Sequence, residues 1–91
     1  MEEAKTSQIS VKAYPNPTNG IVNVEILFSI ELKPLEIDII DELGYIVFTK
    51  MITDYSSNIY NLNISQLKHG IYLLSVKTKD YYSIPCKLIL N

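Results

Sequence analysis

The sequence predicts an all-β chain folded as an antiparallel sandwich. Three observations carry this reading. Seven short runs alternate apolar and polar residues with a period of two. Turn formers (proline, glycine, asparagine, aspartate and serine) separate the runs at intervals of roughly ten residues, as sandwich folds require. No window repeats apolar residues at the i, i+3, i+4, i+7 spacing of an amphipathic helix.

Met1 to Gln8 lacks periodicity and is expected to be a lead-in or the end of a linker, leaving 9–91 as the folded domain. Ile9, Val11 and Ala13 alternate with Ser10, Lys12 and Tyr14 as a first strand. Tyr14-Pro15-Asn16-Pro17-Thr18-Asn19-Gly20 then forces a corner. Each proline fixes φ and removes a donor, Pro17 drives Asn16 out of the helical region, and Asn19-Gly20 tolerates positive φ. Val22, Val24, Ile26 and Phe28 share one face of a second strand, with Asn23 and Glu25 on the other.

Ser29 to Pro34 is a connection, since Pro34 suits no strand interior. Leu35, Ile37 and Ile39 form the inward face of a third strand, which places Glu36 and Asp38 outward and in water. Asp41-Glu42-Leu43-Gly44 is a tight turn in which the aspartate accepts hydrogen bonds and the glycine closes. Tyr45 to Ile52 is a fourth strand, apolar on both faces. Tyr60, Leu62 and Ile64 give the fifth, and Ser65 to Gly70 a short loop. Tyr72, Leu74 and Val76 give the sixth. Ile84, Cys86, Leu88 and Leu90 give the seventh, with Pro85 marking an edge or a strand start.

Composition narrows the function. Ninety-one residues suit one domain, and 47% hydrophobic content is that of a folded chain. A net charge of −2 and a pI near 5.2 argue against nucleic-acid or anionic-membrane partners. All eight basic residues are lysine, so no guanidinium is present to grip phosphate in bidentate fashion. The lone Cys86 excludes an internal disulfide and reads as a small buried hydrophobe. Met1 to Ser10 carries no apolar signal-peptide segment, so the chain is either cytoplasmic or a piece of a longer exported protein. No run has the length for a membrane helix, and no membrane insertion is expected.

Catalytic and cofactor patterns are absent. His69 is the single histidine and sits in a predicted turn; with Cys86 it falls far short of a zinc set or a nucleophile–histidine pair. Glu36 and Asp38 have the spacing of a carboxylate pair, but their face is expected to be solvated. Three glycines build neither a dinucleotide fingerprint nor a phosphate loop. Asn63-Ile64-Ser65 matches the glycosylation pattern, which is short enough to arise by chance. Of seven tyrosines, Tyr60 and Tyr72 fall in step with the core, while Tyr14, Tyr45, Tyr55, Tyr81 and Tyr82 are surface candidates. A surface row of them would suit a carbohydrate.

Four landmarks, in order, carry a resemblance. Tyr14-Pro15-Asn16-Pro17 followed by Gly20 resembles a "YPNP…G" opening. Ile39 to Gly44 with Val47 resembles "hydrophobic-D-x-x-G-x-x-V", and carries Asp41 and Gly44. Ser65 to Tyr72, with Leu67 and Gly70, resembles "S-x-L-x-x-G-x-Y". Lys87-Leu88-Ile89-Leu90 resembles a closing strand. Together they resemble the type A C-terminal sorting domains of the type IX secretion system of Gram-negative bacteria, across about residues 9 to 91.

The resemblance implies a seven-stranded immunoglobulin-like sandwich attached to an N-terminal cargo domain. It implies a non-catalytic address label without cofactor or metal, read by outer-membrane secretion machinery after the cargo reaches the periplasm, with a secreted or cell-surface destination. In many members a sortase-like peptidase removes the domain upstream of the first strand. Recognition is expected at the exposed backbone of Lys87, Leu88, Ile89, Leu90 and Asn91, as an edge strand open to addition. The chain departs from the pattern at Asn91, where many members end in a basic residue, and at Pro85-Cys86. The alternative is an immunoglobulin-like accessory module, a carbohydrate binder or spacer.

Overall fold

The computed structural model describes residues 9–29 and 33–91. The expected lead-in, Met1 to Gln8, and the middle of the Ser29–Pro34 connection lie outside the described residues. Seven strands are present: β1 Ser10–Tyr14, β2 Ile21–Leu27, β3 Glu36–Ile40, β4 Ile46–Met51, β5 Ile59–Asn63, β6 Gly70–Lys77 and β7 Cys86–Leu90. They form a three-stranded sheet ordered β1-β2-β5 and a four-stranded sheet ordered β4-β3-β6-β7. Every strand pairing is antiparallel. The described residues contain no helix, and the arrangement is that of an immunoglobulin-like sandwich.

The period-two pattern builds the interior. Val22, Val24 and Ile26 from β2 and Leu62 from β5 face Ile37, Ile39, Leu74, Val76, Leu88 and Leu90 of the other sheet, all buried. Burying each such side chain contributes about 1.5–3 kcal/mol. Tyr72 closes one end, with its hydroxyl donating to the Lys68 carbonyl and Leu67 packed alongside. At the interior's margin Phe28 meets Tyr55 edge to face, with ring centres 6.4 Å apart.

Four expectations need correction. Asp38 is 0% exposed rather than solvated. Alternation assigns it correctly to the outer face of its sheet but cannot reveal that this face is covered there. Thr49 and Ser75 flank it in register, and the β6–β7 connection runs beside it. In that connection Ser83 donates its amide to the Val76 carbonyl, and its own carbonyl accepts the Ser75 hydroxyl. Tyr55 is half-buried, because its hydroxyl reaches the Pro34 carbonyl at 2.5 Å. Ile84 is 85% exposed and outside the last strand, which starts only after Pro85. Cys86 is half-buried rather than fully enclosed.

Candidate functional site

The Pro-Asn-Pro corner and the last strand form one assembly. β7 ends the order of its sheet, so one side of it would present unpaired backbone. That side is occupied. The Asn16 side chain donates Nδ2–H to the Lys87 carbonyl at 2.7 Å and accepts the Ile89 amide on Oδ1 at 3.0 Å. A carboxamide carries the same donor and acceptor as a peptide group, so Asn16 stands in for one residue of an eighth strand. Thr18 continues the pairing: its amide donates to the Ile89 carbonyl, and its carbonyl accepts the Asn91 amide, both at 2.8 Å. A short parallel bridge, Thr18 to Leu90, thus seals β7.

The sequence explains why the corner holds this shape. Pro15 and Pro17 offer no amide that would need a partner, and both preceding peptide bonds are cis. Thr18 is buried; its hydroxyl donates to the Ile21 carbonyl at 2.7 Å and accepts the Gly20 amide at 3.1 Å. Gly20 adopts φ 139°, and a Cβ there would lie 2.7 Å from the Ser65 Cβ. That close approach lets the Gly20 carbonyl accept the Ile64 amide at 2.7 Å, joining the corner to the loop before β6. Thr18 escaped the sequence reading because it lies outside the alternating runs; its only signal was a hydroxyl in a turn.

The second landmark is a turn held by one carboxylate. Asp41 Oδ1 accepts the amides of Leu43 and Tyr45, each at 2.9 Å, while Gly44 takes φ 92° and donates to the Asp41 carbonyl. The turn delivers Val47 to β4, an edge strand exposed along most of its length. The third landmark runs from Ser65 through Leu67 to Tyr72, with Gly70 opening β6.

The expected recognition residues thus divide. Leu88 is 0% exposed and Leu90 3%, so their side chains are interior packing. The backbone of Lys87, Ile89 and Asn91 is engaged by Asn16 and Thr18, so β7 does not offer the open edge anticipated for strand addition. Among the described residues, the terminal strands with no strand on their outer side are β1, β4 and β5, and β4 and β5 border a common cleft. That shallow cleft, of about 220 Å³, is lined by Met51, Asp54 and Tyr60 among others.

The titratable groups with shifted values fall into two small sets, one around Tyr60 and one around Asp38. Burial beside Tyr55 and Asp54 raises the Tyr60 phenol, and the Ser56 amide lowers Asp54. Hydrogen bonding and like charge from Asp38 raise the Glu36 carboxyl against an opposing pull from Lys77. Burial, then Asp38, raises the Tyr82 phenol. Among the described residues no three His, Cys, Asp or Glu side chains gather around a metal position. His69 is exposed beside the Asp41–Leu43 turn, in a shallow pocket with Lys68. The exposed tyrosines Tyr14, Tyr45, Tyr81 and Tyr82 belong to three separate parts of the chain: the end of β1, the approach to β4 and the β6–β7 connection.

A family model described as the secretion system C-terminal sorting domain matches residues 12–91. No curated protein matches the chain.

Proposed function

Since the chain belongs to the secretion system C-terminal sorting domain family, a sorting signal of type IX secretion, we propose that residues 9–91 are a non-catalytic label. In this reading 1–8 is the end of the connection to an N-terminal cargo. The label commits that cargo to the outer-membrane secretion machinery and thence to the cell surface or the medium. A sortase-like peptidase, where one acts, would cut ahead of Ser10.

The match over residues 12–91 carries the proposal, and the geometry supports it. The Pro-Asn-Pro opening and the closing strand, far apart in sequence, are bonded to each other through Asn16. The family landmarks therefore describe one folded object rather than a linear peptide tag. Because β7 is sealed, recognition of Lys87 to Asn91 falls to the outward side chains of Lys87, Ile89 and Asn91. The carbohydrate alternative needs aromatic rings in a row, and the exposed tyrosines are spread over three parts of the chain.

The test fuses residues 1–91 to a periplasmic reporter in a host with a working type IX system. Export is expected for the intact fusion and for one carrying a surface change such as Lys50→Gln. It should be lost with Leu88→Asp, which places a charge in the interior. Retention of a folded, intact fusion in the periplasm would refute the proposal. Deleting 87–91 is a poorer probe, because it also removes Leu88 and Leu90 from the core.

A further inference from the structure

The outer face of the four-stranded sheet is divided against the usual preference for polar groups in water. One half is polar and shielded: Asp38 and Ser75 are buried beside the β6–β7 connection, together with Ser83 of that connection. The other half is aliphatic and bare. Ile46 is 53% exposed, Ile71 42% and Leu73 41%. These side chains are contiguous, because residues paired across antiparallel strands share a face. Ile40 pairs with Ile46 on one side and with Leu73 on the other, and Leu73 pairs with Lys87, so one row crosses all four strands. Ile71 and Ile89 form the next pair on the same face, about 7 Å along the strands. The register shift between Ile39 and Ile40 passes over Val47 and sets Ile46 opposite Ile40, as a bulge that re-aims a side chain does. Single exposed aliphatics are ordinary on a protein surface; a joined group of this size marks a place of contact.

The patch lies toward the end of the sandwich where the family landmarks meet. The Thr18–Leu90 bridge brings the Pro-Asn-Pro corner there, Gly70 pairs with Leu90, and the Asp41–Gly44 turn follows directly on Ile40. A shallow hollow between that turn and the Lys68–Gly70 segment opens beside Ile71. β1 starts at the opposite end, where Ser10 pairs with Leu27 at the finish of β2. A cargo joined ahead of Ser10 is thus attached away from the patch. The patch also runs into the outward side chains of Lys87 and Ile89, the residues to which the sealing of β7 leaves recognition.

We propose that Ile40, Ile46, Ile71, Leu73 and Ile89, with Lys87 at the rim, are the docking surface for a protein of the outer-membrane secretion machinery, one that presents an aliphatic surface with a carboxylate opposite Lys87. The inference rests on the sorting-label reading. Area and charge select this occupant. A stable pair of identical chains takes about 20–30 residues a side, which this face does not supply. A contact of this size suits a label that must be bound and then released. Lys87 is the one charged side chain in the paired rows, so an acid on the partner would meet it and fix the orientation. A net charge of −2 opposes an anionic lipid surface.

The test uses the reporter fusion of residues 1–91 in the type IX host, unaltered or carrying Leu73→Glu, Ile71→Thr or Lys87→Glu. Leu27→Glu and Ile84→Glu serve as controls, since both residues are at least as exposed as Leu73 and lie off the patch. Urea unfolding of each purified 91-residue variant checks the fold. Leu73→Glu faces Lys87 in register, a favourable cross-strand pair, and Ile71→Thr keeps the β-branched shape. With the fold intact, Leu73→Glu and Lys87→Glu should each cut the exported fraction about tenfold, as loss of one anchor from a small interface does. Ile71→Thr should reduce it in the same direction, and the controls should export like the unaltered fusion. If the unaltered fusion stays in the periplasm, the sorting reading falls and this inference with it. If the unaltered fusion is exported and the patch variants match it, or the controls fall as far as they do, this inference alone is overturned. Sedimentation of the purified chain should show a monomer; a dimer that Leu73→Glu abolishes would assign the face to a second copy and overturn the proposal. Flotation with phosphatidylethanolamine–phosphatidylglycerol vesicles should leave the chain unbound; binding that Leu73→Glu abolishes would assign the face to lipid and overturn it likewise.

Discussion

Replacing Asn16 by alanine tests the sealing of the last strand directly. The change removes one bond to the Lys87 carbonyl at 2.7 Å and one from the Ile89 amide at 3.0 Å. Each is worth about 1 kcal/mol net in folded proteins. Both lie at the surface, where water takes up the freed groups, so the sum falls to about 1–2 kcal/mol rather than the larger cost of a buried loss. For a domain of this size that is a fall in melting temperature of roughly 4–15 °C. Asn16→Asp should do no better. It keeps the acceptor for Ile89 but sets a carboxylate oxygen against the Lys87 carbonyl, exchanging an attraction for a repulsion. Urea unfolding of the three proteins supplies the energies, and hydrogen exchange at the Ile89 amide locates the effect. The bonds of Thr18 are expected to survive in both variants and to keep β7 in place. If Asn16→Ala unfolds within about 0.3 kcal/mol of the unaltered chain, with Ile89 equally protected, the carboxamide is not the clamp described here.

Two further outcomes follow from the same geometry. Gly20→Ala sets a methyl 2.7 Å from the Ser65 Cβ at φ 139°; a loss of about 2–4 kcal/mol in denaturant unfolding is expected, since backbone strain and overpacking add. Thr49→Val removes the hydroxyl hydrogen bond to the buried Asp38 carboxylate. It should lower stability by about 1–3 kcal/mol at neutral pH, measured by urea titration, although the substitution conserves volume and suits a strand.

Much of the architecture is legible in the residues themselves. Val22, Val24 and Ile26, or Tyr72, Leu74 and Val76, declare a strand and its inward face by alternation alone, and all six are buried. Asp41 and Gly44 declared their turn by residue chemistry, and the carboxylate indeed bridges two amides there. The hidden parts are those set by distant partners. Nothing near Asp38 announces that Thr49 and the Tyr82–Ser83 connection will enclose it; alternation reports a face, not what lies over it. Nothing near Asn16 announces that its amide will meet Lys87 and Ile89, which lie 71 and 73 residues downstream. Local turn chemistry accounts for the prolines and is silent on the asparagine between them. The same holds for β7: its own residues suggest an open edge, and the segment that fills that edge comes from the other end of the chain.

The bond from Asn16 to Ile89 also acts as a check on completeness. Synthesis runs from the amino end, so the corner emerges early and waits for a partner that emerges late. A product broken off ahead of Ile89 lacks the strand that would receive the carboxamide, along with Leu90 from the interior. Its corner is left without the backbone it would bond, and the four-stranded sheet lacks its final strand. A chain cut short within the domain thus loses the first and the last strand's shared closure in a single stroke.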